Sequence, residues 1–143
     1  MMAMETEGAA ARILVVDDER DIVDYLIAVL QDNGYDAEGV YDSAAALEEL
    51  RRRPPDLVLL DVMMPGRTGL SLFQTLKQTP RLASIPVLFI SGYSREEEFH
   101  QLELEGLEKL DGESAPVFLE KPIRVPVLLK NVKALLQRPG GEA

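Results

Sequence analysis

The chain has 143 residues, enough for one domain whose core needs no disulfide or metal support. Its 25 acidic and 15 basic residues give a formal net charge of −10, which disfavours binding to nucleic acid or an anionic membrane and favours a cation or a basic partner. The lack of cysteine excludes thiolate chemistry and disulfides, and no apolar run is long enough for insertion into a membrane.

Residues 1–11 are predicted to form a flexible N-terminal tail. This segment carries Glu5 and Glu7, whereas a signal peptide has a basic region followed by an apolar one. We therefore expect a cytoplasmic protein with a single folded domain over residues 12–138 and a C-terminal tail over 139–143.

The folded part alternates short apolar runs with segments of helical period. This is the pattern of βα units that build a parallel sheet covered on both faces. Five strands are expected, at 12–16, 35–40, 57–61, 86–90 and 116–119. Helices are expected at 19–32, from Asp42 or Ser43 to the arginines at 51–53, at 68–78, at 95–110, and from about Pro126 onward. The sequence thus predicts an α/β fold with a doubly wound, five-stranded parallel sheet.

Each predicted helix has an apolar stripe that should face the sheet. The expected buried residues are Ile22, Val23, Leu26, Ile27 and Leu30, then Ala44, Leu47 and Leu50, then Leu72, Phe73 and Leu76, and finally Leu128, Leu129, Val132, Leu135 and Leu136. The fourth predicted helix is strongly acidic, with Phe99, Leu102 and Leu110 available for the sheet. Its glutamates and His100 are expected at the surface.

Several predicted strands are followed by polar residues. Asp17 and Asp18 come after the first strand, Asp61 ends the third, Ser91 follows the fourth and Lys121 follows the fifth. Because ligands of an open α/β sheet bind beyond the carboxyl ends of its strands, these side chains should share one pocket.

The pocket's residue types favour phosphoryl transfer onto an aspartate. Clustered carboxylates repel one another unless a hard cation is present, and oxygen ligands favour Mg²⁺ or Mn²⁺. Lys121 can pair with Asp61 at rest and later with an added phosphoryl oxygen, to which Ser91 offers a hydroxyl donor. A carboxylate nucleophile, a metal, a lysine and a hydroxyl together suit an in-line displacement at phosphorus.

Over about residues 12–138 the chain resembles a response-regulator receiver domain of two-component signal transduction. The matching motifs are the acidic stretch at 15–19, the Asp-x-x-Met-Pro-x-x-x-Gly loop at 61–69 and Lys121-Pro122. The resemblance implies the flavodoxin-like (βα)5 receiver fold. It also implies a phosphoryl-accepting switch that turns over no external substrate, although it can catalyse its own phosphorylation and dephosphorylation.

The resemblance assigns a metal site and an acceptor. Asp61 would be the phosphoacceptor, receiving its phosphoryl group from a phosphohistidine of a sensor histidine kinase or a histidine phosphotransfer protein. Asp18 would be a direct Mg²⁺ ligand, Asp17 would act mostly through water, and Met63 would coordinate through its backbone carbonyl.

The remaining implied roles concern switching. Lys121 would pair with the phosphoryl group, Ser91 would be the switch hydroxyl and Gly92 the small residue that leaves room for the group. Movement of Ser91 would let Phe118 turn inward. The surface formed by the fourth helix, fifth strand and fifth helix would then change its affinity for an unidentified downstream protein.

Three features depart from the family pattern. Met63 and Tyr93, two residues after Asp61 and Ser91, are bulky and would flank the path of the hydrolytic water, so we expect slow self-dephosphorylation. The stretch from Ser91 to Lys121 is about eight residues longer than usual, enough for roughly two helical turns. It also lacks the Gly-Ala pair that commonly precedes the fifth strand. Because the sequence continues only two residues past residue 141, we expect a stand-alone receiver or one excised from a larger protein.

Two other functions remain open. A pseudo-receiver would keep the fold as a protein-interaction module without accepting phosphate, and the altered segment 95–115 is its support. A metal-dependent phosphatase with an aspartyl nucleophile is disfavoured, because its best-known group has a second Asp where this chain has Met63. The acidic fourth helix favours a monomer at rest and leaves a phosphorylation-dependent dimer open.

Overall fold

The computed structural model describes residues 10–62, 69–91 and 117–137, apart from the side chains of Leu70 and Ser91. Its elements are β1 (Arg12–Val16), α1 (Arg20–Asp32), β2 (Asp36–Val40), α2 (Ser43–Arg52), β3 (Leu57–Asp61), α3 (Gly69–Gln78), β4 (Val87–Ser91), β5 (Val117–Glu120) and α4 (Val125–Leu136). The predicted acidic helix at 95–110 lies outside the described residues, so α4 corresponds to the last predicted helix.

The strands form one parallel sheet in the order β2-β1-β3-β4-β5, which confirms the predicted doubly wound fold. The chain passes from β1 to β2 on one side and returns to β3 on the other. The carboxyl ends of β1 and β3 therefore flank the point where the strand order reverses, which is where such sheets bind ligands.

Both faces of the sheet carry an apolar core. Alternate strand residues pack with α2 and α3 on one face and with α1 and α4 on the other. All five residues of β3 are buried, as expected of an apolar central strand that is covered on both sides. This packing fixes the end of β3, and hence Asp61, within the body of the domain.

Most of the predicted helical stripes are confirmed, with one exception in α2. Asp42 is the N-cap of this helix, and its Oδ1 accepts a hydrogen bond of 2.7 Å from the N–H of Ala45. The buried residues of α2 are Ser43, Ala46 and Leu50. Ala44 is exposed, contrary to prediction, because it lies one position off this stripe.

The carboxyl ends of β4 and β5 extend one residue further than predicted. β4 begins at Val87, because Pro86 has no N–H to donate to the ladder, and it continues through Ser91. Ser91 is paired with Glu120, the last residue of β5. In the described parts of the chain, no helix is both long enough and apolar enough to cross a bilayer.

Candidate functional site

Three carboxylates meet at the carboxyl ends of β1 and β3. Asp61 is the last residue of β3 and is 4% exposed, while Asp17 follows β1 directly and is fully buried. Asp18 is exposed beside them. One carboxylate oxygen from each of the three lies within 4.8 Å of the others. The convergence expected from the strand ends is therefore present.

The backbone around β1 holds Asp17 in place. The N–H of Asp17 donates to the carbonyl of Val40 at 3.2 Å, which extends the β1–β2 ladder by one residue. Its Oδ1 accepts a hydrogen bond of 3.0 Å from the N–H of Glu19. Burial raises the pKa of Asp17 above its usual value, although the Glu19 N–H and the ammonium of Lys121 act in the opposite direction.

Lys121 reaches this cluster from the end of β5. Its Nζ lies 3.0 Å from Glu19 Oε1, 3.1 Å from Asp17 Oδ2 and 3.6 Å from Asp61 Oδ1. Burial lowers the pKa of Lys121, but hydrogen bonds to Glu19 and Asp17 and the charge of Asp61 outweigh it, so the pKa lies above its usual value. The lysine is therefore a cation shared among three carboxylates, and Asp61 is its most distant partner.

Gly69 fixes the backbone beside Asp61. Its N–H donates to the carbonyl of Val62 at 2.6 Å, where α3 begins. A Cβ at this position would overlap the backbone carbonyl oxygen of Asp61 and lie 2.9 Å from its carbonyl carbon. The glycine that closes the Asp-x-x-Met-Pro-x-x-x-Gly loop is thus required by close backbone contact at the end of β3.

The carboxylate cluster has the chemistry of a site for a hard cation. Asp17 Oδ2 is buried and forms an ion pair of 3.1 Å with Lys121 Nζ. Oxygen atoms of Asp17, Asp18 and Asp61 surround the same small volume. This donor set fits Mg²⁺ or Mn²⁺. Met63, the fourth expected ligand, lies outside the described residues.

The expected switch residues are described only in part. The ring of Phe118 stacks on Phe89 with centroids 4.9 Å apart and planes 18° apart, and Phe89 makes an edge contact with Phe73 at 5.1 Å. Phe118 is thus partly buried at the margin of the core beneath α3. Ser91 ends β4, but its side chain lies outside the description, as do Gly92 and Tyr93.

Sequence reasoning missed one member of the cluster, Glu19. This residue was expected to begin the first helix, and it is instead the N-cap of α1, with a side chain that reaches Lys121. The available signal was a third acidic residue after the pair at 17 and 18. Helical periodicity does not report a contact between residues 102 positions apart.

Comparisons with known proteins agree with this arrangement. The family model described as "Response regulator receiver domain" matches residues 13–133. The phosphate regulon transcriptional regulatory protein PhoB of Klebsiella pneumoniae is 34% identical over 129 residues, which cover 90% of this chain and 53% of that protein. The response regulator PleD of Caulobacter vibrioides is 37% identical over 126 residues, covering 88% of this chain and 26% of PleD.

A solved structure shows the same fold. The chemotaxis protein CheY4 of Vibrio cholerae superposes with a TM-score of 0.76 at 27% identity, covering 89% of this chain and 99% of that one. The present chain spans about half the length of PhoB and a quarter of PleD. The family match, the sheet order and the acidic cluster lead to one conclusion: this chain belongs to the response regulator receiver domain family, whose members act as switches in two-component signalling.

Proposed function

We propose that this protein accepts a phosphoryl group on Asp61 from a phosphohistidine of a sensor histidine kinase or a histidine phosphotransfer protein. The observation that carries the proposal is the position of Asp61 at the end of β3, with Asp17, Asp18 and Lys121 around it. The receiver unit would comprise residues 12–138 between two short tails and would act in the cytoplasm.

The chemical step is an in-line displacement. A carboxylate oxygen of Asp61 attacks phosphorus, the bond from phosphorus to the histidine nitrogen breaks, and the leaving imidazole takes up a proton. Lys121 Nζ, now 3.6 Å from Asp61 Oδ1, is near enough to reach an added phosphoryl oxygen with a small movement. The close contact between Gly69 and the backbone carbonyl of Asp61 would hold the end of β3 against the start of α3 during the reaction.

Asp17, Asp18 and Asp61, with the backbone carbonyl of Met63, would hold Mg²⁺. Bound there, Mg²⁺ supplies positive charge that offsets the negative charge on the transferring phosphoryl oxygens. Asp17 would contribute its buried Oδ2, which lies 3.1 Å from Lys121 Nζ.

The product would carry about −1.5 to −2 of added charge at Asp61. Ser91 would turn toward the new oxygens, Gly92 would leave room for them, and Phe118 would take up a new position relative to Phe89. The strand register supports this relay, since Phe89 pairs with Phe118 and Ser91 with Glu120. The surface that includes β5 and α4 would then change its affinity for a downstream protein.

The proposal is tested by intact mass spectrometry. The protein is incubated briefly with acetyl phosphate and Mg²⁺, quenched in acid and compared with a sample treated with a chelator. We expect the mass of one phosphoryl group to be added only in the presence of the metal. No addition under either condition, together with no response to fluoroberyllate, would favour a pseudo-receiver that functions by protein interaction alone.

Met63 and Tyr93 lead to a prediction for the lifetime of the phosphorylated state. If their bulky side chains obstruct the hydrolytic water, the double variant Met63→Asn, Tyr93→Glu should lose its phosphoryl group several-fold faster than the native chain. The half-life is measured by intact mass after removal of the donor, with both proteins at the same Mg²⁺ concentration. An equal or longer half-life in the variant would contradict the prediction.

A further inference from the structure

We propose that Glu19 is a positioning residue that holds Lys121 away from Asp61 while the protein is unphosphorylated. This inference rests on the proposed role of Asp61 as the phosphoacceptor. Glu19 would compete with Asp61 for the ammonium group, so it would set how readily Lys121 becomes available to the phosphoryl group. The sequence pattern and the family match assign no such role to Glu19.

The distances define the competition. Lys121 Nζ donates a hydrogen bond to Glu19 Oε1 at 3.0 Å, whereas Asp61 Oδ1 lies at 3.6 Å. Hydrogen bonds between an ammonium and a carboxylate are typically about 2.8 Å long, so the Asp61 contact is an ion pair rather than a hydrogen bond. In the resting protein, Lys121 is therefore bound more closely to Glu19 than to Asp61.

The backbone of Glu19 is held by hydrogen bonds, and within the described residues its side chain makes a hydrogen bond and an ion pair with Lys121 alone. The N–H of Glu19 donates to Asp17 Oδ1 at 3.0 Å, and its carbonyl accepts from the N–H groups of Ile22 and Val23, each at 3.1 Å. The carboxylate does not cap α1. Glu19 thus extends from a fixed N-cap position to the lysine that follows β5.

Exposure determines which partner can release the lysine. The side chain of Glu19 is 60% exposed, so its carboxylate can return to water when Lys121 leaves. Asp17 is fully buried, and withdrawal of Lys121 from it would leave a desolvated charge. A phosphoryl group on Asp61 would accordingly draw Lys121 away from Glu19 first, while Asp17 keeps its contact.

The experiment compares three variants with the native chain. Glu19→Ala removes the contact with Lys121 and costs α1 no capping hydrogen bond, because the side chain of this N-cap residue makes none. Glu19→Asp keeps the charge but is one methylene shorter, so its carboxylate should not reach Lys121. Asp21→Ala removes a negative charge from the exposed first turn of α1. Among the described residues, the ion-pair partners of Lys121 are Asp17, Glu19 and Asp61, so this variant reports the effect of charge alone.

Two readouts are used. The first is the phosphorylation rate with acetyl phosphate and Mg²⁺, followed by intact mass. We expect Glu19→Ala and Glu19→Asp to react about two- to fivefold faster than the native chain, the range spanned by one exposed ion pair, and Asp21→Ala to change less. The second is the crystal structure of metal-free Glu19→Ala, in which the distance from Lys121 Nζ to Asp61 Oδ1 should shorten to about 2.9 Å.

A native rate in Glu19→Asp, or an unchanged distance from Lys121 to Asp61 in Glu19→Ala, would overturn the inference. An equal acceleration in Asp21→Ala would also overturn it, because the effect would then be one of net charge. If the native chain accepts no phosphoryl group at all, the proposed function fails. The distance in the metal-free crystal still decides whether Glu19 positions Lys121.

Discussion

Replacement of Asp61 by Asn is expected to abolish phosphorylation of the chain. The amide has nearly the same size but no nucleophilic carboxylate, and removal of a nucleophile lowers rates by several orders of magnitude, so we expect a loss of at least about a hundredfold. The fold should persist, because the change also removes one of three mutually repelling charges near the ends of β1 and β3. Intact mass gives the rate, and urea denaturation gives the free energy of unfolding.

Asp24→Asn is the matched control for this variant. Asp24 is exposed on α1, and its replacement makes the same chemical change away from the site. The Asp24→Asn variant should therefore be phosphorylated on Asp61 at nearly the native rate. Phosphorylation of Asp61→Asn at the native rate would mean that another residue accepts the group. Loss of activity in both variants would point instead to a general effect of charge.

Gly69→Ala should destabilise the fold by about 3 kcal/mol, as expected when a side chain is forced against fixed backbone. The added Cβ would overlap the carbonyl oxygen of Asp61, and relief requires α3 to move away from the end of β3. Any folded fraction should also be phosphorylated more slowly, because Asp61 would be displaced from Asp17 and Lys121. Chemical denaturation measures the loss of stability.

Gly34→Ala separates steric overlap from backbone strain. Gly34 follows α1 with a φ of +90°, and a Cβ there would meet nothing within 4 Å. Its substitution should therefore cost only the strain of a left-handed residue, about 1 kcal/mol. If Gly69→Ala costs no more than Gly34→Ala, the close contact at Asp61 does not constrain the loop.

The sequence predicted the strands and their convergence well, because both follow from simple rules. Runs such as 57–60 are apolar at every position, which indicates a strand buried on both faces. Parallel strands then bring their carboxyl ends to one edge of the sheet, so the sequence alone was enough to place Asp17, Asp61 and Lys121 together.

The features that sequence could not predict depend on three-dimensional distances. Ala44 was assigned to the buried stripe of α2, but the orientation of that helix on the sheet buries Ala46 instead. The end of β4 depends on the pairing of Ser91 with Glu120 on a neighbouring strand. Lys121 Nζ lies 3.0 Å from Glu19 Oε1 and 3.6 Å from Asp61 Oδ1. The periodicity of a sequence does not predict a difference of 0.6 Å between two such contacts.

Phosphorylation at Asp61 is tested most directly by locating the phosphoryl group. The protein is phosphorylated with acetyl phosphate and Mg²⁺, reduced with borohydride so that an acyl phosphate becomes an alcohol, and digested for peptide sequencing by mass spectrometry. We expect the reduced residue to be at position 61, and we expect chelation of Mg²⁺ to remove the signal. Reduction at any other aspartate or glutamate, or at none while the chain still gains phosphoryl mass, would contradict this expectation.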